Sequence, residues 1–350
     1  MKKIILVLTV MMLAAAMLAG CTVTPAPVED TASPEVTNSQ APADNTPEPA
    51  DDTPVKVLTL KGPTGLGMLQ LMEANEKGET SNKYEFTVCG SPDEIKTEIL
   101  AGRYDVAAVP INLAAVLYNK TEGALRIAAV NTLGVLYVLE NGDTIKSVAD
   151  LKGKTIGATG QGSTPEYVLN FILRANGLEP GVDVTVEYYA EHEELAKRLI
   201  GGLCDIGMLP QPNVTAVLSK KPDIRIALDL TEEFEKADET DASLTQGCVV
   251  VSKDFAENSG NKLDAFLAEY KTSAEYVNAN PSEAGQLSAK FGVVPDAATA
   301  TAAIPKCNIC FFAGSEMKTK VTGMLNVLFN ADPKSVGGKL PDEGFYYGVN

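Results

Sequence analysis

The sequence predicts an α/β fold in which two similar lobes, joined by a hinge, face each other across a central cleft. The first observation is an internal repeat, because residues 98–117 (EILAGRYDVAAVPINLAAVL) and 198–218 (RLIGGLCDIGMLPQPNVTAVL) follow one pattern. The matched residues are Gly102 with Gly202, Asp105 with Asp205, and Pro110 with Pro210. The second observation is that strand and helix patterns alternate in the same order through both copies, which predicts parallel α/β layers in each.

In the first copy, β-branched alternating runs predict strands, and apolar residues spaced three and four apart predict helices. The predicted strands are 55–62, 84–90, 104–110 and 126–130, and the predicted helices are 66–76, 91–101 and 112–119. In the second copy, the strands are 154–160, 184–189 and 225–230, and the helices are 166–177 and 192–202, on either side of the repeated segment. The two copies therefore match over most of their length.

Apolar strands at 132–138 (TLGVLYV) and 245–251 (TQGCVVV) leave the two copies and are expected to join the lobes. We therefore predict that lobe 1 comprises residues 55–140 and 246–350, and lobe 2 residues 141–245. Three further helices are predicted in the last hundred residues, and we expect them to pack on lobe 1. These helices are 262–278, 281–291 and 317–329.

The N-terminus has the pattern of a secretory signal peptide. Lys2 and Lys3 precede an apolar run at residues 4–18, and Leu-Ala-Gly-Cys follows, ending at Cys21. This ending is similar to the bacterial lipobox, so residues 1–21 are interpreted as a lipoprotein signal peptide with lipid chains on Cys21. Such lipid chains would anchor the protein to the outer face of the cytoplasmic membrane. The alternative is an ordinary signal peptide with an incidental cysteine.

Residues 22–54 are predicted to be a disordered tether. They contain seven prolines and seven acidic residues but no lysine or arginine, and they hold too little apolar surface to build a core. The whole chain has a net charge of −17, which argues against nucleic acid or an anionic membrane surface as a partner.

The remaining cysteines give little indication of a metal site. Cys89, Cys204 and Cys248 lie in apolar strand-like runs and are expected to be buried free thiols. Cys307 and Cys310 form a disulfide, half of a metal site, or neither. Because a zinc site needs four ligands and the chain has one histidine, no metal is expected.

Four segments carry a resemblance to a known family: LAG-C, AGRYDVAAVP, SVADLKGKTIGATGQGSTPEYVLNFILRANGL and GGLCDIGMLPQPNVTAVL. The chain resembles the substrate-binding proteins of ABC importers, in particular the nitrate, sulfonate and taurine, and thiamine-precursor branch. The resemblance covers residues 55–330 and implies a type II periplasmic-binding-protein fold. It also implies a monomeric, lipid-anchored receptor that delivers a small anion or a pyrimidine-type thiamine precursor to an ABC permease and its ATPase.

Two glycine-rich turns are candidate ligand contacts, because the helices that follow present unpaired backbone N–H groups. The candidates in the first turn are Thr64 and Gly65, and those in the second are Gly160, Gln161, Ser163 and Thr164. Plain helix capping by Ser163 or Thr164 is the alternative for the second turn.

Further candidates lie at strand ends and in the loops that follow the predicted strands, and the last of them, beside the exit strand, is a candidate hinge contact. These are Ser91, Asn112, Tyr189, Gln211, Asn213 and Gln246. Asn112 in one lobe and Gln211 with Asn213 in the other would hydrogen-bond different ends of one ligand, since side-chain amides both donate and accept hydrogen bonds. Ordinary turn chemistry is the alternative for the asparagines.

Catalysis is not expected, because the strand-end loops hold few groups able to transfer a proton or attack a substrate. Glu191, His192 and Glu193 lie together but are interpreted as a solvated helix start, and no cofactor is predicted. The turn at residues 160–165 lacks the Gly-Lys-Ser/Thr ending of a nucleotide-binding loop. Two alternatives remain: an enzyme on the same fold that makes a pyrimidine precursor, and a sensory receptor without transport.

Overall fold

The computed structural model describes residues 52–238 and 242–349. The predicted signal peptide with Cys21, and the predicted tether up to residue 51, lie outside these residues. Among the described helices, none has both the length and the apolar character that crossing a membrane requires.

Strands and helices alternate through most of the described chain. The strands are β1 (Val55–Leu60), β2 (Tyr84–Cys89), β3 (Val106–Pro110), β4 (Leu125–Thr132), β5 (Leu136–Glu140), β6 (Thr155–Thr159), β7 (Thr185–Tyr189), β8 (Ile206–Pro210), β9 (Arg225–Asp229), β10 (Gly247–Ser252) and β11 (Ile309–Phe312). The helices of the first half are α1 (Pro63–Leu66), α2 (Leu69–Lys77), α3 (Pro92–Leu100), α4 (Ile111–Lys120), α5 (Thr164–Ala175), α6 (His192–Ile200) and α7 (Asn213–Lys220). Those that follow are α8 (Leu230–Ala237), α9 (Lys253–Asn258), α10 (Gly260–Ala279), α11 (Pro281–Phe291), α12 (Ala297–Ala303) and α13 (Gly314–Ala331).

These strands form two sheets, which confirms the predicted pair of α/β lobes. The sheet of lobe 1 has the order β11-β4-β10-β3-β1-β2, and the sheet of lobe 2 has the order β7-β6-β8-β5-β9. Within each sheet the repeated strand units run parallel, β1 with β2 and β3, and β6 with β7 and β8. Helices cover both faces of each sheet, as the alternating sequence pattern requires.

Each lobe also contains one strand that comes from the exit segment of the other copy. β5 pairs antiparallel with β8 and β9 in lobe 2, and β10 pairs antiparallel with β3 and β4 in lobe 1. Both sheets are therefore mixed rather than purely parallel. The chain crosses between the sheets at residues 133–135, so residues 136–140 belong to lobe 2 and not, as predicted, to lobe 1. An apolar run shows that a strand is buried on both faces but does not show which sheet buries it.

The C-terminal helices complete lobe 1. α10 packs against α2 and β11, and α11 packs against α12. Phe266 and Tyr270 of α10 are fully buried, and the ring of Tyr270 lies 6.0 Å from that of Phe311. In addition, α13 contacts α5, and α12 contacts α7, so both helices reach lobe 2. The two lobes are therefore in contact through these helices as well as through the crossings.

Candidate functional site

The carboxyl ends of the repeated strands lie beside the segments that cross between the lobes. Pro110, the last residue of β3, pairs with Gly247 at the start of β10, and Pro210, the last residue of β8, pairs with Leu136 at the start of β5. We call residues 133–135 the first crossing and residues 242–246 the second crossing. Because ligands of open α/β sheets bind outside the carboxyl ends of the strands, this is the candidate site.

Backbone hydrogen bonds join the strand-end loops to the two crossings. The Ile111 N–H donates to the carbonyl of Gln246 at 3.0 Å, and the Gln246 N–H donates to the carbonyl of Thr132 at 3.0 Å. In lobe 2, the Gln211 N–H donates to the carbonyl of Val135 at 2.9 Å. Gln246 thus lies in the second crossing, and each crossing is hydrogen-bonded to one of these loops.

A third segment, which the sequence reasoning missed, also borders the first crossing. Asn308 Nδ2 donates to the Gly134 carbonyl at 2.6 Å, and the Tyr137 hydroxyl donates to the Lys306 carbonyl at 2.8 Å. Gly134 has no room for a side chain, because a Cβ there would lie 2.2 Å from Thr231 Oγ1. Residues 306–308 belong to lobe 1, so these contacts bridge the lobes.

In lobe 1, the glycine-rich turn after β1 is held in place by side-chain and backbone contacts. Asn131 Nδ2 donates to the Thr64 carbonyl at 3.1 Å, which fixes the turn against the end of β4. Gly65 is required there, since a Cβ would lie 2.2 Å from the Leu60 carbonyl oxygen. Thr64 is half-buried and Gly65 is buried, and their helix α1 contacts β1, β3, β4 and β11.

In lobe 2, the turn at residues 160–164 is closed mainly by its own contacts. Ser163 Oγ donates to the Gly160 carbonyl at 2.6 Å and makes no capping bond, although Ser163 occupies the N-cap position of α5. The Gly162 N–H donates to Glu166 at 2.5 Å. Gln161 is exposed and Thr164 is half-buried at the start of α5. The turn lies next to the end of β6, as predicted.

The other predicted residues divide into two groups. Asn112 and Asn213 are half-buried in the first turns of α4 and α7, next to the loops that bond the crossings. Ser91 instead accepts a hydrogen bond from the Glu94 N–H at 3.2 Å and caps α3. The Tyr189 hydroxyl donates to Glu187, and Arg198 lies 4.7 Å from the Tyr189 ring, so this ring packs on the α6 side of the sheet.

Gln211 combines burial with an unpaired polar group. Its side chain is 2 % exposed, and its Oε1 accepts from Thr215 Oγ1 at 2.8 Å and from the Thr215 N–H at 3.2 Å. A backbone N–H can only donate, so the amide oxygen must face Thr215 and the amide nitrogen must face elsewhere. Gln211 Nε2 has no hydrogen-bond partner among the described residues. Leaving such a donor buried and unpaired costs about 1–3 kcal/mol.

Glu191, His192 and Glu193 are exposed at the start of α6, as the sequence predicted, but the His192 ring also bonds the end of a strand. Its Nδ1 lies 2.7 Å from Oγ1 of Thr159, the last residue of β6, although part of the ring remains exposed. Crowding by protein atoms removes water from the imidazole and lowers its pKa, while the neighbouring Glu191 carboxylate opposes this shift. The bond ties the start of α6 to the strand end.

Comparison with known proteins identifies the family. A family model described as the periplasmic substrate-binding protein of phosphonate ABC transporters matches residues 69–291. The chain belongs to this family. Among proteins with curated descriptions, none matches the sequence.

Solved structures share the fold of this substrate-binding protein. The crystal structure of an ABC transporter from Parabacteroides distasonis is 25% identical and aligns with 84% of this chain and 99% of its own, with a TM-score of 0.69. The periplasmic aliphatic sulphonate binding protein SsuA from Escherichia coli is 18% identical, covering 84% of this chain and 91% of its own, with a TM-score of 0.65. A putative sulfonate-binding SsuA from Methylobacillus flagellatus is 16% identical, covering 86% and 92%, with a TM-score of 0.60.

The cysteines of this substrate-binding protein are free thiols within the described residues. Cys307 and Cys310 form no disulfide, and burial raises the pKa of each thiol to about 12, so both are protonated at neutral pH. Cys89 and Cys248 are buried as predicted, whereas Cys204 is half-buried. No cluster of three or more metal-ligating side chains is present in the part of the chain that the structure describes.

Proposed function

We propose that this chain is a lipid-anchored, extracytoplasmic receptor that captures a small anion of the phosphonate or sulfonate class between its lobes and delivers it to an ABC importer. The family assignment supports the transport role, and it favours binding over the alternative of a pyrimidine-precursor synthase. The observation that carries the proposal is the position of the strand-end loops. The loop after β3 in lobe 1 is bonded to the second crossing, and the loop after β8 in lobe 2 is bonded to the first crossing. A ligand held there would contact lobe 1 and lobe 2 together.

The binding residues in this proposal are uncharged donors and acceptors in the turns and loops that follow the strands and in the second crossing. They are Thr64, Gly65, Asn112, Gly160, Gln161, Ser163, Thr164, Gln211, Asn213 and Gln246. A ligand that contacts both walls binds the closed arrangement better than an open one and therefore shifts the lobes toward closure. Ser91 and Tyr189 are not included, because their side chains are engaged away from the crossings.

The proposed partners are the membrane, for which the signal-peptide pattern ending at Cys21 is the support, and an ABC permease with its ATPase, for which the family assignment is the support. Lipid chains on Cys21 would hold a monomer at the outer face of the cytoplasmic membrane, with residues 22–54 as the tether. The closed form would then dock on a permease whose cytosolic ATPase drives import. Replacing Cys21 by Ser should move the protein from the membrane fraction to the soluble fraction, and unchanged membrane retention would contradict the lipid anchor.

A thermal-shift screen of the mature protein tests the ligand class. The probes are methylphosphonate, 2-aminoethylphosphonate, ethanesulfonate, nitrate and a thiamine pyrimidine precursor. A probe present at a hundred times its dissociation constant should stabilise the protein by about 2.7 kcal/mol. Stabilisation by the pyrimidine alone would show that the ligand is a pyrimidine and not an anion. Absence of stabilisation by any probe would contradict the proposed function.

A further inference from the structure

Resting on the proposed function, we propose that Gln211 and Thr245 are the pair of uncharged groups that bind the oxyanion end of the ligand, and that this binding favours closure of the lobes. One residue belongs to the loop after β8 and the other to the second crossing. The ligand class is a tetrahedral XO₃ head group, as in a phosphonate, a sulfonate or inorganic phosphate.

Gln211 is suited to this role because both N–H groups of its amide nitrogen are available. Thr215 holds the amide oxygen through two hydrogen bonds, so the side chain is fixed and cannot turn its nitrogen toward α7. The Gln211 backbone is itself fixed by its bond to Val135 of the first crossing. An oriented pair of donors in a dry environment suits an oxygen that carries partial negative charge.

Thr245 has the same combination of burial and an unpaired polar atom. The residue has no exposed surface, and its Oγ1 has no hydrogen-bond partner in the described part of the chain. Its two neighbours contact the first crossing and the end of β4, respectively. Leu244 packs against Gly134, and the Gln246 N–H donates to the Thr132 carbonyl. Gln211 is therefore bonded to the first crossing, and Thr245 lies between one residue that packs on this crossing and one that is bonded to the end of β4.

A positive charge lies beside the second crossing. Lys320 of α13 donates to Ser243 Oγ at 3.1 Å, and its Nζ lies 4.7 Å from the centre of the Phe312 ring. The side chain is 19% exposed, and among the described residues the carboxylate paired with it is that of Glu316, 4.0 Å away. A partly buried ammonium group acts over longer distances than an exposed one, so it favours an anion over a neutral ligand at the crossing.

Pairing of these atoms links binding to closure. In the present arrangement of the lobes, Gln211 Nε2 and Thr245 Oγ1 are buried without partners, which is unfavourable. A ligand oxygen that accepts from them removes this cost only while the lobes are together. The head group therefore contributes to the free energy of closure as well as to affinity.

Isothermal titration calorimetry on the full-length mature protein tests the inference with methylphosphonate, ethanesulfonate, inorganic phosphate and the pyrimidine as probes. Gln211→Glu keeps the oxygen that Thr215 requires but replaces the donor by a second carboxylate oxygen. We expect its affinity for the oxyanion that binds wild type to fall by about a hundredfold. Gln211→Leu and the isosteric Thr245→Val should each lose about tenfold. The oxyanion that binds most tightly to wild type identifies the class of head group.

Asn170→Leu is the matched control. Asn170 Oδ1 on α5 is also buried without a partner in the described residues, so this variant tests the removal of an unsatisfied amide away from the crossings. Its oxyanion affinity should stay within twofold of wild type. Gln211→Leu removes the unpaired Nε2 but also removes the acceptor of the buried Thr215 hydroxyl, so it should unfold at a temperature near or below that of wild type. Thr245→Val decides the result if either Gln211 variant fails to fold.

Three outcomes would overturn the inference, and they differ in what they leave standing. Oxyanion binding within twofold of wild type in both Gln211 variants and in Thr245→Val would overturn the inference and leave the proposed function intact. Preference for the uncharged pyrimidine over every oxyanion would overturn the inference and keep only a solute receptor. Absence of binding of any probe by wild type would contradict the proposed function and the inference together.

Discussion

The loops after β3 and β8 have the same place in the repeat and the same backbone role, but they use different side chains. Ile111 in lobe 1 and Gln211 in lobe 2 each donate a backbone hydrogen bond to a crossing. The Ile111 side chain is 1% exposed and belongs to the apolar core, and the alanines that follow in α4 are buried with it. Gln211 is equally buried but polar, and it bonds Thr215 in the first turn of α7.

The ends of β1 and β6 show the same contrast, with apolar residues in lobe 1 and polar residues in lobe 2. The last residue pairs are Leu60 with Cys89 in lobe 1 and Thr159 with Tyr189 in lobe 2, so Leu60 and Thr159 are equivalent. Thr159 bonds His192 at the start of α6, whereas Pro92 begins α3 in lobe 1. At these positions, lobe 1 therefore uses apolar residues for stability, and lobe 2 uses polar pairs that fix donors and acceptors at the strand ends.

The largest effect on stability should come from replacing Ile111, the apolar residue of the lobe 1 loop. Ile111→Ala removes buried methyl and methylene groups from the core and should lower the free energy of unfolding by about 2–5 kcal/mol. Urea unfolding followed by circular dichroism measures the change. Because the Ile111 side chain carries no hydrogen-bonding group, the affinity of the folded fraction for a ligand should change little.

Leu113→Ala is a suitable control, because this residue of the same helix is only partly buried and should lose less stability. If Ile111→Ala instead kept its stability and lost ligand affinity, the apolar side chain would have a binding role and the contrast between the two loops would be wrong.

A smaller effect on stability is expected when one residue of the Gln211–Thr215 pair in lobe 2 is replaced by an apolar residue. Thr215→Val removes the hydrogen bond from Oγ1 to the Gln211 amide but keeps the bond from the backbone N–H. The free energy of unfolding should fall by about 0.5–1.5 kcal/mol, the net contribution of one hydrogen bond. Because the amide is then less firmly oriented, ligand affinity measured by calorimetry should fall, but less than in Gln211→Leu.

Thr272→Val provides the matched control for this change. The Thr272 hydroxyl on α10 donates to the Ala268 carbonyl at an exposed position away from the crossings. This variant should keep its ligand affinity. Equal affinity in Thr215→Val and Thr272→Val would show that the orientation of the Gln211 amide does not matter for binding.

Much of the fold follows from local sequence patterns. The repeat, the strand–helix alternation and the helix start at Ser91 with Pro92 depend on neighbouring residues, and the structure agrees with each of them. The position of β5 does not follow in this way. Its residues pair with β8 and β9, which come later in the chain, so their burial does not indicate the lobe to which the strand belongs.

The candidate site could be located by the repeat but not resolved into contacts. The loop after Pro210 was a predicted site, and Gln211 lies there. However, the pattern could not show that Thr215 orients the amide or that Tyr189 turns toward Glu187 and Arg198. These contacts depend on side-chain direction in three dimensions. Asn308 and Thr245 had no signal at all, because their importance comes from the crossings beside which they lie.

The smallest expected effect is a pH dependence at the end of β6 that has no counterpart at the end of β1, where Leu60 and Pro92 hold the equivalent positions. The folded protein lowers the pKa of His192 below its ordinary value of about 6.5. Between the lowered pKa and about 6.5, the unfolded chain therefore binds more protons than the folded protein, and folding stability decreases as the pH falls through this window. His192→Asn should remove this component, so the difference in unfolding free energy between wild type and variant should shrink on acidification from pH 7 to pH 5.

Thr159→Val, which removes the partner of Nδ1 but keeps the imidazole, should retain a pH-dependent component. An equal pH dependence in wild type and His192→Asn would show that the ring is freely solvated, as the sequence first indicated, and that the polar pair at this strand end contributes nothing to stability.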